Sequence, residues 1–226
     1  MLTENKLSKY LLYAVGEIVL VVIGILIALS INNWNELQKE SVLEKEYLIN
    51  IKRDLQQDAD QAAIIVKSKI HQLNIIKFLE PGFKLDSVYM IENIDTINFP
   101  FLKLFHRENS FRSTRSAYSS LIADGKSNLI ENKLLFQKIQ SIYDEQYPRI
   151  YSLYYDLKRK ENSSSSTYSY EKFHWNYQTI QKAGNERIIA DLANFWETAH
   201  YYCTFLDESI LEMKKIIKEI DVEIDK

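Results

Sequence analysis

The C-terminal part of the chain carries its most regular pattern of apolar positions. Apolar side chains recur there in steps of four and three residues, with charged side chains between them. The apolar positions are Leu192, Trp196, Ala199, Cys203, Leu206, Ile210, Met213, Ile217, Ile220 and Ile224. This spacing places them on one face of a helix that packs against another helix. With Asn185 and Glu186 as the start signal, it predicts one helix over about residues 186–224.

A matching pattern occurs in the N-terminal half of the chain. Its apolar positions are Leu48, Ile51, Leu55, Ala59, Ala62, Val66, Ile70, Leu73 and Ile76. Nothing between Trp34 and Tyr47 interrupts a helix, so we expect the preceding apolar segment to continue as one helix to Leu79, before Pro81 and Gly82. Two long helices with matching apolar faces predict an antiparallel pair.

The middle of the chain predicts shorter elements. We expect helices at 84–94 and 111–123, an irregular link at 95–105, a third long helix from Asn128 that Pro148 kinks, a polar loop at 162–167 and a short helix at 168–182. Five glycines and three prolines are too few for the turns of an all-β chain. The predicted fold is all-α: a transmembrane helix that continues into an elongated antiparallel bundle, with coiled-coil-like first and last helices.

Residues 11–31 form an apolar segment with one charge, Glu17. About 20 apolar residues span a bilayer core, whereas a cleaved signal peptide has a shorter apolar region and a small-residue cleavage site. We therefore predict an uncleaved signal anchor at 11–31, a cytoplasmic N-terminus at 1–10 and an extracytoplasmic helical bundle at 32–226.

Lysine asymmetry predicts the orientation of this anchor. Lys6 and Lys9 precede it, whereas the first lysine after it is Lys39. The positive-inside rule then places the N-terminus in the cytoplasm and the C-terminal domain outside the cytoplasmic membrane. Tyr10 and Trp34 suit the two aromatic interface belts.

Three residues of the anchor are candidates for contacts within the membrane. Glu17 places a carboxylate in the apolar segment, where it either stays protonated without a special role or contacts a polar group on another membrane helix. Gly24 and Ala28 form a small-xxx-small pair that permits close helix approach, including approach between copies of this chain.

Charge and cysteine content exclude several classes of protein. The net charge of −3 argues against a nucleic-acid binder. The one cysteine, Cys203, cannot form an intrachain disulfide and is expected to be a small buried thiol. No histidine or cysteine spacing places two metal ligands on one helix face, and no phosphate-binding loop or nucleophile motif occurs. We predict no metal, no cofactor and no enzymatic activity.

A basic cluster near residue 110 is a candidate anion site. Arg107, Arg112 and Arg115 lie near a predicted helix start, where side-chain guanidinium groups and free backbone N–H groups together could hold an anion. The alternative is a solvated face, or ion pairs with acidic helices.

Tyrosines are concentrated in the third long helix. Tyr143, Tyr147, Tyr151 and Tyr154 recur at helical spacing and form one stripe. We consider two interpretations, a partner-binding or ligand-binding surface and a tyrosine-rich edge of the bundle core.

Three stretches resemble a known family. They are YAVGEIVLVVIGILIALSINNWNE at 13–36, EKEYLINIKRDLQQD at 44–58, and the turn that carries Tyr118, Leu121, Gly125, Leu129 and Ile130. They are similar to uncharacterised single-pass membrane proteins of Bacteroidota that carry a domain of unknown function. The resemblance implies an inner-membrane protein with a periplasmic helical domain, and it leaves the activity open.

These observations favour a non-enzymatic role in the cell envelope. We expect the bundle to bind a partner, to act as a scaffold or to sense a ligand, with a protein partner or a second copy contacting the membrane helix or the bundle. The alternative is an accessory subunit of a transport or energy-coupling complex that acts through Glu17.

Overall fold

The structure is a computed structural model that describes residues 4–73, 105, 110–174 and 186–226. In these ranges the chain is helical and contains no β-strand, so the predicted all-α class is confirmed. Predictions for residues 74–79, 84–94 and 175–182 lie outside the described residues, as does the link at 95–105 apart from Phe105.

Helix α1 extends without interruption over Glu4–Leu73. Every residue from 10 to 42 is exposed, and the buried part of the helix begins at Leu48. Among the described residues, α1 is the one helix long and apolar enough to cross a membrane. The predicted continuation of the apolar segment into the bundle is therefore confirmed as far as Leu73.

The last helix of the chain, which we label α6, extends over Glu186–Ile224 and packs antiparallel to α1. Lys52 of α1 forms an ion pair with Asp221 near the end of α6. The apolar positions predicted for α6 from Leu192 to Ile220 are buried, including the thiol-bearing Cys203. Since hydrophobic burial is the main favourable term in folding, this long seam is the principal source of stability in the described bundle.

Shorter elements cover this pair. They are α2 (Ser116–Ala123), a 3₁₀ turn (Ser127–Leu129), α3 (Lys133–Gln140), a π-helical segment (Ser141–Gln146), α4 (Tyr147–Thr167) and α5 (Glu171–His174). Gly125 ends α2 with a positive φ of 65°, a conformation that glycine adopts without strain.

Two predicted helix starts are wrong. The helix predicted at 111–123 begins at Ser116, because the preceding backbone N–H groups donate to side chains of other elements. The helix predicted from Asn128 begins at Lys133. The side chain of Asn132 caps it by accepting a 3.1 Å hydrogen bond from the N–H of Leu135.

The third helix also differs from its prediction in its interior. Pro148 lies in the first turn of α4, and the six residues that end just before Tyr147, Ser141–Gln146, adopt the wider π-helical register. A proline lacks the N–H that would bond the carbonyl four residues earlier, which is a reason for the local change of register. The polar loop predicted at 162–167 is wrong, since α4 continues to Thr167. Its Ser164 is buried, so packing overrides the weak helix preference of serine.

Candidate functional site

Two buried carboxylates on α1 form the most unusual polar feature of the described bundle. Asp54 and Asp58 lie one helical turn apart, with 3% and 1% of their surface exposed. Each immediately precedes an apolar core position, Leu55 and Ala59 respectively, so the carboxylates flank the apolar face of the helix. Buried carboxylates are costly unless hydrogen bonds compensate for lost water.

The segment before α2 and the first turn of α2 supply those hydrogen bonds. The N–H of Thr114 donates to both oxygens of Asp58, at 2.8 and 3.1 Å. Asp54 accepts from the N–H of Ala117 and from the hydroxyl of Ser116, each at 3.1 Å. Because α2 has no side-chain cap of its own, Asp54 acts as its N-terminal cap from a different helix.

Aromatic side chains enclose the two carboxylates. The hydroxyl of Tyr147 donates to Asp58 at 2.5 Å. Tyr143 stacks on Tyr118 with ring centroids 4.4 Å apart and meets Tyr147 edge-on at 5.2 Å. Tyr118 in turn donates its hydroxyl to Asp144 of the π-helical segment. The network therefore joins α1, α2, the π-helical segment and α4.

Burial controls the protonation of these groups. Desolvation raises the pKa of Asp58 above its ordinary value of 3.8, and the hydrogen bonds from Tyr147 and Thr114 oppose that rise. Burial likewise raises the pKa of Tyr143 and of Tyr147. Burial and the bond to Asp144 raise the pKa of Tyr118 to about 12. At neutral pH Tyr118 and Tyr147 therefore act as hydroxyl donors, and the network is suited to fixing helices in place.

The predicted tyrosine stripe separates into two parts. Tyr143 and Tyr147 have no exposed surface, so they cannot form a partner surface in this conformation, and for these two the core interpretation is correct. Tyr151 and Tyr154 are half-buried. Tyr151 is held by Ser113, whose hydroxyl lies 2.6 Å from the tyrosine oxygen, and the ring of Tyr154 contacts Tyr202.

The predicted anion site is occupied by groups of the protein itself. Backbone N–H groups near the start of α2 donate to Asp54 and Asp58 and are not free to bind an added anion. Arg115 forms an ion pair with Asp144 at 3.4 Å. For Arg115 this contact agrees with the alternative interpretation, an ion pair with an acidic element. The Arg112 side chain is exposed, and Arg107 lies outside the described residues.

Glu17, Gly24 and Ala28 are exposed on α1 and contact no other described element. A side chain added at Gly24 would meet nothing within 4 Å. These three residues are therefore available for contacts with other molecules. The predicted contacts within the membrane require such availability.

Sequence reasoning missed Asp54 and Asp58. The available signal was two acidic residues four apart, each directly beside a core position of a long amphipathic helix. That pattern is also typical of solvated acidic residues, and only the packing of α2 distinguishes the two cases. Within the described ranges, no cluster of three or more His, Cys, Asp or Glu side chains is placed to hold a metal ion.

Two of the open grooves that border α6 lie at its contacts with α1 and with the π-helical segment. One, of 730 Å³, lies between α1 and the end of α6; its lining includes Ile49, Arg53, Asp60, Asp221, Ile224 and Asp225. The other, of 480 Å³, lies beside the π-helical segment, where the Arg149 guanidinium sits 4.4 Å from the centroid of the Phe205 ring. We refer to the first as the α1/α6 groove.

Comparison with known proteins gives one match. The model of a family described as "Family of unknown function (DUF6090)" matches residues 17–200, which include most of α1, the acidic pair and the elements that enclose it. No curated protein and no solved structure matches the chain.

Proposed function

The chain belongs to this family of unknown function, and from that premise we propose that it is a membrane-anchored helical bundle that binds a protein partner in the cell envelope, as a scaffold or sensor. Residues 11–31 span the inner membrane, residues 1–10 lie in the cytoplasm, and residues 32–226 lie in the periplasm. Its action is binding and not catalysis.

The continuity of α1 is the observation that carries this proposal. One helix contains both the apolar segment and the bundle residues from Leu48 onward, with no break between them. A flexible linker would separate the motions of an anchor from those of its domain. A continuous helix instead fixes the position of the bundle relative to the span, as a scaffold or a sensor requires.

The burial of the acidic network supports binding over catalysis. A catalytic acid or base must be reached by substrate in a cleft. Asp58 and Tyr147, whose pKa values burial raises, lie buried in the core, and the hydrogen bond between them joins α1 to α4.

The test combines topology with partner capture. A phosphatase reporter fused after Lys226, which is active only outside the cytoplasm, should be active, and a cytoplasmic reporter at the same point should be inactive. Crosslinking in native membranes followed by mass spectrometry should recover one enriched protein partner. A reporter active only in the cytoplasm, or no crosslinked protein above the background of an unrelated single-pass anchor, would contradict the proposal.

Glu17 supports a second candidate function, that of an accessory subunit in a transport or energy-coupling complex. An intramembrane carboxylate is expensive in lipid and is expected to contact a polar group of another membrane helix. Glu17→Gln should then abolish the coupled transport while protein level and bundle stability stay unchanged. Glu36→Gln, on the same helix beyond the apolar segment, is the control and should have no effect. Unchanged transport in Glu17→Gln would exclude this role.

A further inference from the structure

We infer that two copies of this chain associate as a parallel, two-fold symmetric dimer through the side of α1 that faces away from the bundle. This inference rests on the membrane anchorage stated under the proposed function. The partner on this side of α1 is a second copy of the chain, and other partners would bind elsewhere.

The surface follows from helical geometry. Gly24, Ala28, Ile31, Val42 and Ile49 lie within about 60° of one another around α1 at 3.6 residues per turn. We call these residues the outward face. The core positions of the same helix, such as Leu55 and Ala62, centre about 160° away. The other described elements of each bundle therefore pack mainly on the opposite side of α1, which leaves the outward face open to a second α1.

Apolar side chains on this face are not covered by any described residue of the same chain. Val42 is 67% exposed and Ile49 51% exposed, although both lie beyond the apolar segment that ends near Ile31. Ile64, 71% exposed, continues the same side of the helix toward the far end of the bundle. One exposed apolar residue is ordinary, but three on one side of one helix, aligned with the small residues Gly24 and Ala28, favour a helix partner.

The segment between the apolar stretch and the bundle gives a second reason. Residues 32–42 are helical and exposed, and of these Leu37, Glu40 and Ser41 border an open groove with the turn after α2. In proteins most helical stability comes from the tertiary packing of one helix face. A second copy supplies such packing for this segment, since the membrane anchor holds both copies in the same orientation and places identical segments at the same distance from the membrane.

The heptad register fits a parallel pair. Ala28, Asn35, Val42 and Ile49 follow one another at intervals of seven residues. An asparagine at such a position in a two-stranded parallel coiled coil pairs with its own counterpart and specifies register. Asn35 thus selects the alignment in which identical residues of the two chains face each other.

Charges in the α1/α6 groove are complementary between two copies. Arg53 on α1 and Asp225 at the end of α6 both line this groove. Within the described chain, neither side chain takes part in an ion pair. A two-fold axis places Arg53 of each copy opposite Asp225 of the other, so one contact is formed twice.

The first test is crosslinking of single cysteines in membranes that contain the full-length chain. Val42→Cys lies on the outward face, whereas Glu40→Cys is also at an exposed position but about 160° around the helix. A short, membrane-permeant bismaleimide should convert Val42→Cys to a species of twice the mass at least about fivefold more than Glu40→Cys. The unaltered chain, whose thiol at Cys203 is buried, gives the baseline.

The second test uses charge reversal in the Val42→Cys chain. Arg53→Glu places two acidic groups opposite each other at each end of the symmetric contact and should lower crosslinking about tenfold. Adding Asp225→Arg restores the opposite charges and should recover most of the loss. Both positions are on the surface, and an unchanged helical circular dichroism spectrum shows that the variants fold.

Each outcome decides the question. Equal or absent crosslinking at the two cysteines, or no rescue by the double reversal, overturns the dimer. A crosslinked species of another mass overturns it as well, but supports a different protein partner. Because the reagent crosses the membrane, crosslinking reports association on either side of it. A wrong topology would instead be detected by the reporter fusions.

Discussion

The hydroxyl of Tyr147 donates a 2.5 Å hydrogen bond to Asp58 in the interior of the bundle. Tyr147 belongs to α4 and Asp58 to α1, and the same hydroxyl lies 3.6 Å from the sulfur of Met213 on α6. One polar group therefore lies where three helices meet. Its contribution to stability should be measurable with single substitutions.

Tyr147→Phe should lower the free energy of unfolding by about 2 kcal/mol, because it removes a buried hydrogen bond to an acidic group. Tyr143→Phe is the matched control. The Tyr143 hydroxyl is buried without a hydrogen-bond partner among the described residues, so its loss should leave stability unchanged or raise it slightly. Urea denaturation followed by tryptophan fluorescence, which reports on buried Trp196, measures both. Equal losses in the two variants would refute the assignment.

Stability should depend on the charge of Asp58 in a defined direction. Desolvation raises the pKa of Asp58 above 3.8, so between 3.8 and the raised value the folded chain binds more protons than the unfolded chain. The contribution of Asp58 to the free energy of unfolding therefore falls as pH rises through that window and is constant above it.

Asp58→Asn removes this contribution while keeping an oxygen that can accept from Tyr147. Subtracting its stability from that of the unaltered chain at each pH should give a difference that declines through the same window. A difference that is flat, or that rises with pH, would show that hydrogen bonding to the carboxylate outweighs its desolvation. Asp58→Ala should be less stable than Asp58→Asn by about 1–3 kcal/mol, since it leaves buried donors unpaired.

Asn132 should contribute to stability through two separate contacts. Its side-chain oxygen caps α3, and its side-chain nitrogen donates to Glu223 at 2.6 Å. Asn132→Ala should cost about 1 kcal/mol or somewhat more. Asn132→Ser keeps the capping oxygen and loses the contact with Glu223. The thermal unfolding temperature of this variant should therefore lie between those of Asn132→Ala and the unaltered chain. An Asn132→Ser chain no more stable than Asn132→Ala would show that the cap contributes little.

The bundle should fold without its apolar segment. Residues 10–40 are all exposed, so a chain that lacks residues 1–40 should be soluble, helical and within about 0.5 kcal/mol of the stability of the complete bundle. Deleting residues 1–52 also removes the buried Leu48 and Ile51 and should cost about 4 kcal/mol or more. Circular dichroism during heating distinguishes the two, and aggregation of the shorter deletion would contradict the expectation.

The sequence was informative wherever one helix face supplied a long, periodic signal. The apolar positions of α6 predicted its range, Glu186–Ile224, and its antiparallel packing on α1. Long seams are informative because many buried side chains must agree in phase. The same reasoning identified Cys203 as a buried thiol.

Features that depend on contacts between distant residues were not predictable. The start of α2 moved from residue 111 to Ser116 because the intervening N–H groups donate to side chains distant in the sequence, that of Arg112 to Gln61 and that of Thr114 to Asp58. The serines at 163–166 prefer loops in isolation, yet packing against α6 holds them in a helix. Tyr143 and Tyr147 share helical spacing with the half-buried Tyr151 and Tyr154, and spacing alone does not show which side of a helix another element covers.

The part of α1 between the apolar segment and the buried core separates the bundle from that segment. From Ile31 to Leu48 the helix rises about 25 Å before its first fully buried core residue. Under the proposed membrane anchorage, that interval is a helical spacer that keeps the acidic interior of the bundle away from the lipid headgroups. A membrane-bound partner that contacts the buried part of the bundle must therefore extend about 25 Å from the membrane. A partner that is not bound to the membrane has no such requirement.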